Sequence, residues 1–416
     1  HLLVPFLEEI FEPKFIDDSY ACRRGKGTHA AVKRLRRFLR KVDRQSRRGG
    51  WFLQLDIRGF FMSIDHDTLI GILGRHIQDK RLLSLAEIII RHNPTTNCRM
   101  KDRSGLFDKM PPHKSQFHRR TGVGLPIGNL TSQFFANVYL NELDQFVKHH
   151  LKCRCYLRYV DDFILLHPSR SFLEKARGEI EAFLAARLKL VLKEKAVPRR
   201  TSDGIDFCGY ITRKDYTLVR KRVVGNLTSK LRRFEKEMVV LGKISGNPYR
   251  RVHMRPDRVL RLRQVISSYL GHFKHADGYR LTHKLFIRFP FLGDVFELAK
   301  GNTFLLPRYE SKEPLRTLAD QYHWFARHHP RAITMIQVGR FCEFHDQSAQ
   351  KAAAILKLCI SKSRRGLELH AGLPMRGLRW AKKRLTIAGL AYIVVAEEGW
   401  LPNGLKRRLM TEKHNV

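Results

Sequence analysis

The sequence predicts a mixed α+β protein of two to three domains, and three observations carry that reading. A chain of 416 residues exceeds one domain of ordinary size. Its hydrophobic content of 43%, with 10% aromatic residues, supplies genuine cores and excludes global disorder. Stretches with helical spacing of apolar residues also alternate with short strand-like runs along the chain.

The elements follow in order. Residues 31–42 and 82–90 have helical periodicity, and 51–57 reads as a strand. Residues 93–120 hold Pro94, Pro111 and Pro112 among polar and basic residues, and read as an irregular insertion. A helix is expected over 131–149. Residues 155–161 and 163–166 are two apolar arms joined at an acidic pair, a hairpin with carboxylates at its tip. An amphipathic helix over 172–187 and a strand pair over 205–212 follow. Between 213 and 263 there are 16 Lys/Arg against 4 Asp/Glu, with Val223, Leu227, Leu231, Phe234 and Met238 at helical spacing. That pattern reads as a small basic helical domain. Pro307 and Pro314 mark a linker, and the chain beyond alternates helix and strand patterns.

Charge narrows the function classes. With 79 Lys/Arg against 39 Asp/Glu, the formal net charge is +40 and the pI near 10.4. Such a surplus calls for a polyanion, and nucleic acid is the leading partner through counterion release. An anionic membrane surface would need one basic amphipathic helix or a basic tail, whereas these charges recur throughout. No apolar run approaches the ~18 residues that span a bilayer. Seven scattered cysteines argue against a secreted disulfide scaffold, so a cytoplasmic location is expected. The chain begins at His1, and its natural N-terminus is expected to extend further.

Three carboxylates stand in apolar surroundings: Asp56 at the end of a strand, and Asp161 and Asp162 in the hairpin. Carboxylates at buried strand ends are costly without a positive neighbour. In a protein that binds nucleic acid, paired divalent cations fit that need, because two metals can activate a 3′-hydroxyl and stabilise leaving pyrophosphate. A lone Asp-Asp is more often a turn, so the weight rests on the combination.

That combination resembles the reverse transcriptases. Tyr159-Val160-Asp161-Asp162 matches their polymerase hairpin, and the run from Asp56 to Ile64 their first palm strand. Residues 124–133 fall where the template-holding motif belongs, 188–195 resemble the lysine motif, and 206–210 the primer grip. Residues 19–28 look like the fingers motif. The resemblance implies an α+β right-hand polymerase, with fingers and an antiparallel palm sheet over 1–212 and a helical, basic thumb over 213–300. It implies that Asp56 and Asp161 ligate two Mg²⁺ ions, with Mn²⁺ a substitute, that Asp162 supports them, and that the carbonyl of Ile57 is a further ligand. Arg23 and Lys26 would clamp the triphosphate, Phe61 would gate the ribose 2′-position, and Lys195 would protonate or neutralise pyrophosphate. Phe207, Gly209 and Tyr210 would form the primer grip. Template RNA, its cDNA hybrid and deoxynucleotides are the implied partners.

The template motif departs from the usual pattern. Ile127-Gly128 stands where most reverse transcriptases have Gln-Gly, and Ser132-Gln133 where they have Ser-Pro. That variant resembles the enzymes of diversity-generating retroelements, which misincorporate at template adenines and work with a basic accessory variability protein. Replacing an amide with a branched alkyl group removes a polar contact near the templating pair, which suits relaxed fidelity. An antiviral reverse transcriptase and a non-catalytic RNA-binding scaffold are the alternatives, and the scaffold would have lost a carboxylate.

A second resemblance covers the C-terminal region. Met335 to Ala349, with Gln321-Tyr322, residues 371–376 and 392–398, is similar to the N-terminal mismatch-reading domain of MutS proteins. It implies a linker over 301–318 and a small α/β module over 319–416. In that module the Phe341-x-Glu343 element would wedge a ring against a weakly paired base and accept a hydrogen bond from it.

Overall fold

The computed structural model describes residues 2–46, 49–96, 111, 115–118, 120–193, 196–299, 301, 304–311, 313, 315–363 and 366–416. The chain forms two compact units, His1–Leu218 and Val219–Val416.

The first unit comprises helices α1 (Leu3–Phe11), α2 (Thr28–Arg44), α3 (Phe60–Ser63), α4 (His66–Gly74), α5 (Lys80–Arg91), α6 (Leu130–Gln145) and α7 (Arg170–Leu188). Strands β1 (Trp51–Asp56), β2 (Cys155–Tyr159), β3 (Asp162–His167) and β4 (Arg199–Arg200) form one sheet in the order β2-β3-β1-β4. A second sheet joins β5 (Ile205–Phe207), β6 (Tyr210–Thr212) and β7 (Thr217–Val219). Side-chain alternation decides which face each residue joins. Leu53, Leu55, Phe163 and Leu165 enter a core with α1, α4, α6 and α7. Phe52, Leu157, Ile164 and Leu166 enter another with α2, whose Leu35, Phe38, Leu39 and Val42 pack there. Gln54 and Asp56 share the α2 face by the same alternation, at the opposite end of β1 from Phe52.

The second unit is built around one eight-stranded sheet. It contains α8 (Lys221–Met238), β8 (Val239–Ile244), β9 (Asn247–His253), α9 (Pro256–Phe273), α10 (Tyr279–Arg288), α11 (Phe291–Val295), β10 (Phe296–Leu298) and β11 (Leu305–Pro307). It continues through α12 (Leu318–His328), β12 (Ile333–Val338), β13 (Phe341–His345), α13 (Asp346–Leu356), β14 (Ser361–Lys362), β15 (Leu369–Pro374), α14 (Leu378–Ile387), β16 (Tyr392–Trp400) and β17 (Lys406–Asn415). The strand order is β14-β15-β13-β12-β16-β17-β9-β8, antiparallel except for β12 beside β16. Met335, Cys342, Phe344 and Val394 pack under α13 and α14, whereas Ile336, Ile393, Val395 and Met410 pack with α8, α9 and α12.

The basic region is therefore not wholly helical. The periodicity ends at Met238, and the β-branched Val239-Val240 opens a hairpin whose turn, Ser245-Gly246, has φ of +50° and +83°. Its strand β9 pairs with β17, register His253 to Glu412. The expected linker also carries structure: β11 pairs with β10, and Pro307 sits at the last position of that short strand.

His414, on β17, is fully buried between Tyr392, at 4.6 Å between ring centroids, and Tyr249, at 5.1 Å. Burial foremost, then the Arg251 charge, pushes it down to about 4, so it folds neutral. An unfolded His titrates near 6.5, so the unfolded chain takes up the proton first as pH falls. Stability supplied by neutral His414 is intact above about pH 6.5 and is lost towards pH 4, by up to ~3 kcal/mol. Denaturant unfolding at pH 7 and pH 5 should show the second unit weakening, and His414→Phe should flatten that slope. An unchanged slope would refute the assignment.

Candidate active site

The hairpin of β2 and β3 closes through Val160 and Asp161, with Tyr159 opposite Asp162. Asp162 thus already belongs to β3, and the turn consists of one β-branched residue and one carboxylate. Val160 has φ +57°, the sign that tight hairpin turns demand but a β-branched side chain resists.

What holds this turn lies beneath it. Arg158 is wholly buried on the other face of β2, and its guanidinium pairs with Asp144 of α6 at 2.8 and 2.6 Å. The same group donates to the carbonyl of Val160 (3.0 Å), to Asn137 Oδ1 (3.3 Å) and to Ser19 Oγ (3.1 Å). Tyr156 adds its hydroxyl to Asp144 at 2.7 Å. Burial opposes charge on Arg158, but Asp144 more than compensates and keeps it protonated. Backbone bonds from Arg158 N to the Asp18 carbonyl and from Tyr20 N to the Arg158 carbonyl dock the 18–20 segment on β2.

On the opposite face the carboxylates assemble. Asp56 ends β1 directly across from Asp162 on β3. Asp161 has its pKa raised, by burial foremost and then by the charge of Asp56. Asp162 accepts from the Gln54 amide at 3.0 and 3.2 Å, and the same amide reaches the Asp206 carbonyl at 3.0 Å. Gln54 thereby ties the hairpin to the expected primer grip. Among the described residues no three His, Cys, Asp or Glu side chains are grouped tightly enough to hold a metal ion. Two of the expected ligands, Asp56 and Asp161, do influence one another electrostatically, and the third is turned to Gln54.

Other expected residues fall as follows. Ile57 is buried beside Asp56 and bridges Leu192. Phe61 is half-buried against the first core, and its carbonyl accepts from Leu125 N at 2.7 Å, which joins it to the template loop. Gly128 has φ +102°, Ile127 is 67% exposed, and the Gln133 backbone N–H donates to the Asn129 carbonyl in the first turn of α6. Arg23 is held by Glu12 at 2.7 Å and by two backbone carbonyls, and Lys26 by Asp17 at 2.5 Å. Both cations are thus paired within the chain to acidic neighbours at 12 and 17. Phe207 and Tyr210 are fully buried, so the expected grip could present only its turn, Cys208-Gly209, with φ of +50° and +87°. Lys195 lies outside the described residues. Lys193 reaches Asp56 Oδ2 at 3.1 Å, and its backbone N–H bonds the Asp56 carbonyl. These partners stand 137 positions apart, so no local pattern signals the pair.

In the second unit the Phe-x-Glu element divides. Phe341 is 52% exposed at the start of β13, whereas Glu343 is enclosed, 3.2 Å from His345 Nε2 and 3.8 Å from His370 Nε2.

Replacing Asp144 with Ala should strand Arg158 as an unpaired buried charge and cost about 3–5 kcal/mol in denaturant unfolding. A loss below ~1 kcal/mol would show that the pair does not support the hairpin.

Comparison with known proteins identifies the family. Residues 1–212 match the reverse transcriptase (RNA-dependent DNA polymerase) family, and residues 316–397 match MutS domain I. The group II intron-encoded protein LtrA of Lactococcus lactis subsp. cremoris is 34% identical over 143 residues, which cover 34% of this chain and 19% of LtrA. Protein YkfC of Escherichia coli (strain K12) is 26% identical over 270 residues, covering 56% of this chain and 66% of YkfC. The chain thus spans about a fifth of LtrA and just under two thirds of YkfC. Telomerase from Candida tropicalis overlaps 53% of this chain and 44% of its own, at 14% identity and a TM-score of 0.37. With the family match covering fingers and palm, the chain belongs to the reverse transcriptases and carries a MutS domain I region behind them.

Proposed function

We propose that this chain polymerises DNA on an RNA template, with adenine-directed errors of the diversity-generating kind. The observation that carries the catalytic part is the placing of Asp56 across from Asp162 at one end of the palm sheet, with Asp161 in the adjoining turn close enough to feel the Asp56 charge. Asp161 and Asp56 offer carboxylate oxygens at that end of the sheet, the donor type that Mg²⁺ takes, beside the Lys193 side chain that pairs with Asp56. Bound there, Mg²⁺ would lower the pKa of a primer 3′-hydroxyl and neutralise charge on departing pyrophosphate. Asp56 and Asp161 supply the oxygens, while Gln54 keeps Asp162 braced against the primer-grip backbone. Lys193 Nζ stands at the same corner, 3.1 Å from Asp56 Oδ2, where it can neutralise the leaving group. Phe61 stands beside the template loop as the steric check on the ribose.

The mutagenic part rests on Ile127. Its side chain lies open on the loop that Phe61 anchors and brings no hydrogen-bonding group to a template base. Discrimination that lacks polar contacts is weaker by orders of magnitude. A basic accessory variability protein would be a natural partner for such an enzyme.

Primer extension on a defined RNA, with the products sequenced, tests both parts. Errors should concentrate opposite adenines, and Ile127→Gln should reduce them several-fold. Asp161→Ala should abolish synthesis. A low and uniform error rate would sink the mutagenic reading, and full synthesis by Asp161→Ala would sink the catalytic one.

A further inference from the structure

The MutS domain I match ends at residue 397, yet β16 runs on to Trp400 and turns through 401–405 into β17. Trp400 is 64% exposed, an unusual state for the largest side chain. The Lys406 ammonium stands 3.7 Å from its ring centroid, and the two residues are cross-strand partners. Aromatic face and cation together match a nucleobase and its phosphate.

The position of this hairpin tip is fixed by a lock. Glu397 Oε1 accepts from Gly339 N at 3.1 Å and from Arg408 Nη2 at 2.8 Å. Arg408 donates onward to the carbonyls of Gln337 (2.9 Å) and Lys406 (3.1 Å), and Gln337 Oε1 accepts from Glu397 N at 3.2 Å. The Arg408 side chain is 4% exposed, so this ion pair is shielded from solvent and salt. It clamps the root of the hairpin to the Gly339-Arg340 turn that immediately precedes Phe341. Strand order agrees: β12 runs parallel to β16, so Phe341 and Trp400 leave the same end of the sheet. Lys406 at the Trp400 ring, and Arg340 next to Phe341 in the sequence, supply positive charge suited to an anionic strand.

We infer that the β16–β17 hairpin is a second stacking arm, set rigidly beside Phe341, and that its occupant is an unpaired nucleotide of a nucleic-acid strand. This rests on the reading of Phe341 as a base-contacting ring but assigns a residue outside the family match. The test uses the full chain and a labelled RNA–DNA hybrid bearing one unpaired adenine, against the fully paired hybrid. Trp400→Ala should weaken binding of the unpaired-base hybrid by about 5- to 100-fold and leave the paired one unchanged. As a measure independent of truncation, tryptophan emission of the native chain should be quenched on binding, and Trp400→Phe should lose that quench while retaining affinity. Native affinity in Trp400→Ala, or an unaltered quench in Trp400→Phe, overturns the inference. Phe341→Ala separates the two readings. A loss there with Trp400→Ala intact leaves Phe341 standing and removes the arm, and the converse keeps the arm and removes Phe341.

Discussion

The palm depends on one guanidinium. Arg158 lies in the core with no solvent access, and its donors go to a carboxylate, an amide, a hydroxyl and the carbonyl of a strained turn residue. A buried charge of that kind adds little net stability compared with apolar packing, but it is intolerant of misplacement. Its ligands come from three parts of the sequence: Ser19 before α2, Asn137 and Asp144 on α6, and Val160 in the turn. Only one arrangement of those segments satisfies all of its donors. Val160 can hold φ +57° because the fastened carbonyl leaves the turn no cheaper geometry. A rigid base underneath lets the two carboxylates above stand close enough for Asp56 to raise the pKa of Asp161.

Sequence patterns made the palm legible to different depths. Strand β1, the hairpin and helices α2, α6 and α7 could be read from periodicity, since each buries a face that alternation or helical spacing displays. The carboxylates could be read because they interrupt apolar runs. Gln54 and Lys193 could not. Each acts through partners more than a hundred positions away, and neither residue type is unusual where it stands. Arg23 and Lys26 are visible as motif residues, whereas their pairing with Glu12 and Asp17 is a matter of loop geometry.

The second unit hides more. A reading by segments finds a basic helical region, a connector and a separate α/β module, because each stretch has its own composition. The apolar side chains of α8 and α9 share one core with those of α12 and β16, and that core crosses every such boundary. Charge is a surface property and marks no seams in the interior. The short strands at 239–253 are hard to read because only Val252 among their residues is buried, which blurs the alternation that identifies a strand.

That pairing has a consequence for the order in which the protein can be made. Strand β17 lies between β16 and β9 in the finished sheet, although β9 leaves the ribosome far ahead of it. Roughly 150 residues separate the two, which at ~5–20 residues per second is on the order of ten to thirty seconds of synthesis. Throughout that interval the ladder groups of β9 that will meet β17 face no partner, and an unpaired strand edge recruits other chains. Arg250 and Arg251, on that edge, carry like charges that repel a second copy until β17 arrives with Glu412 to meet Arg251. Like charges at this edge thus oppose pairing between two unfinished chains.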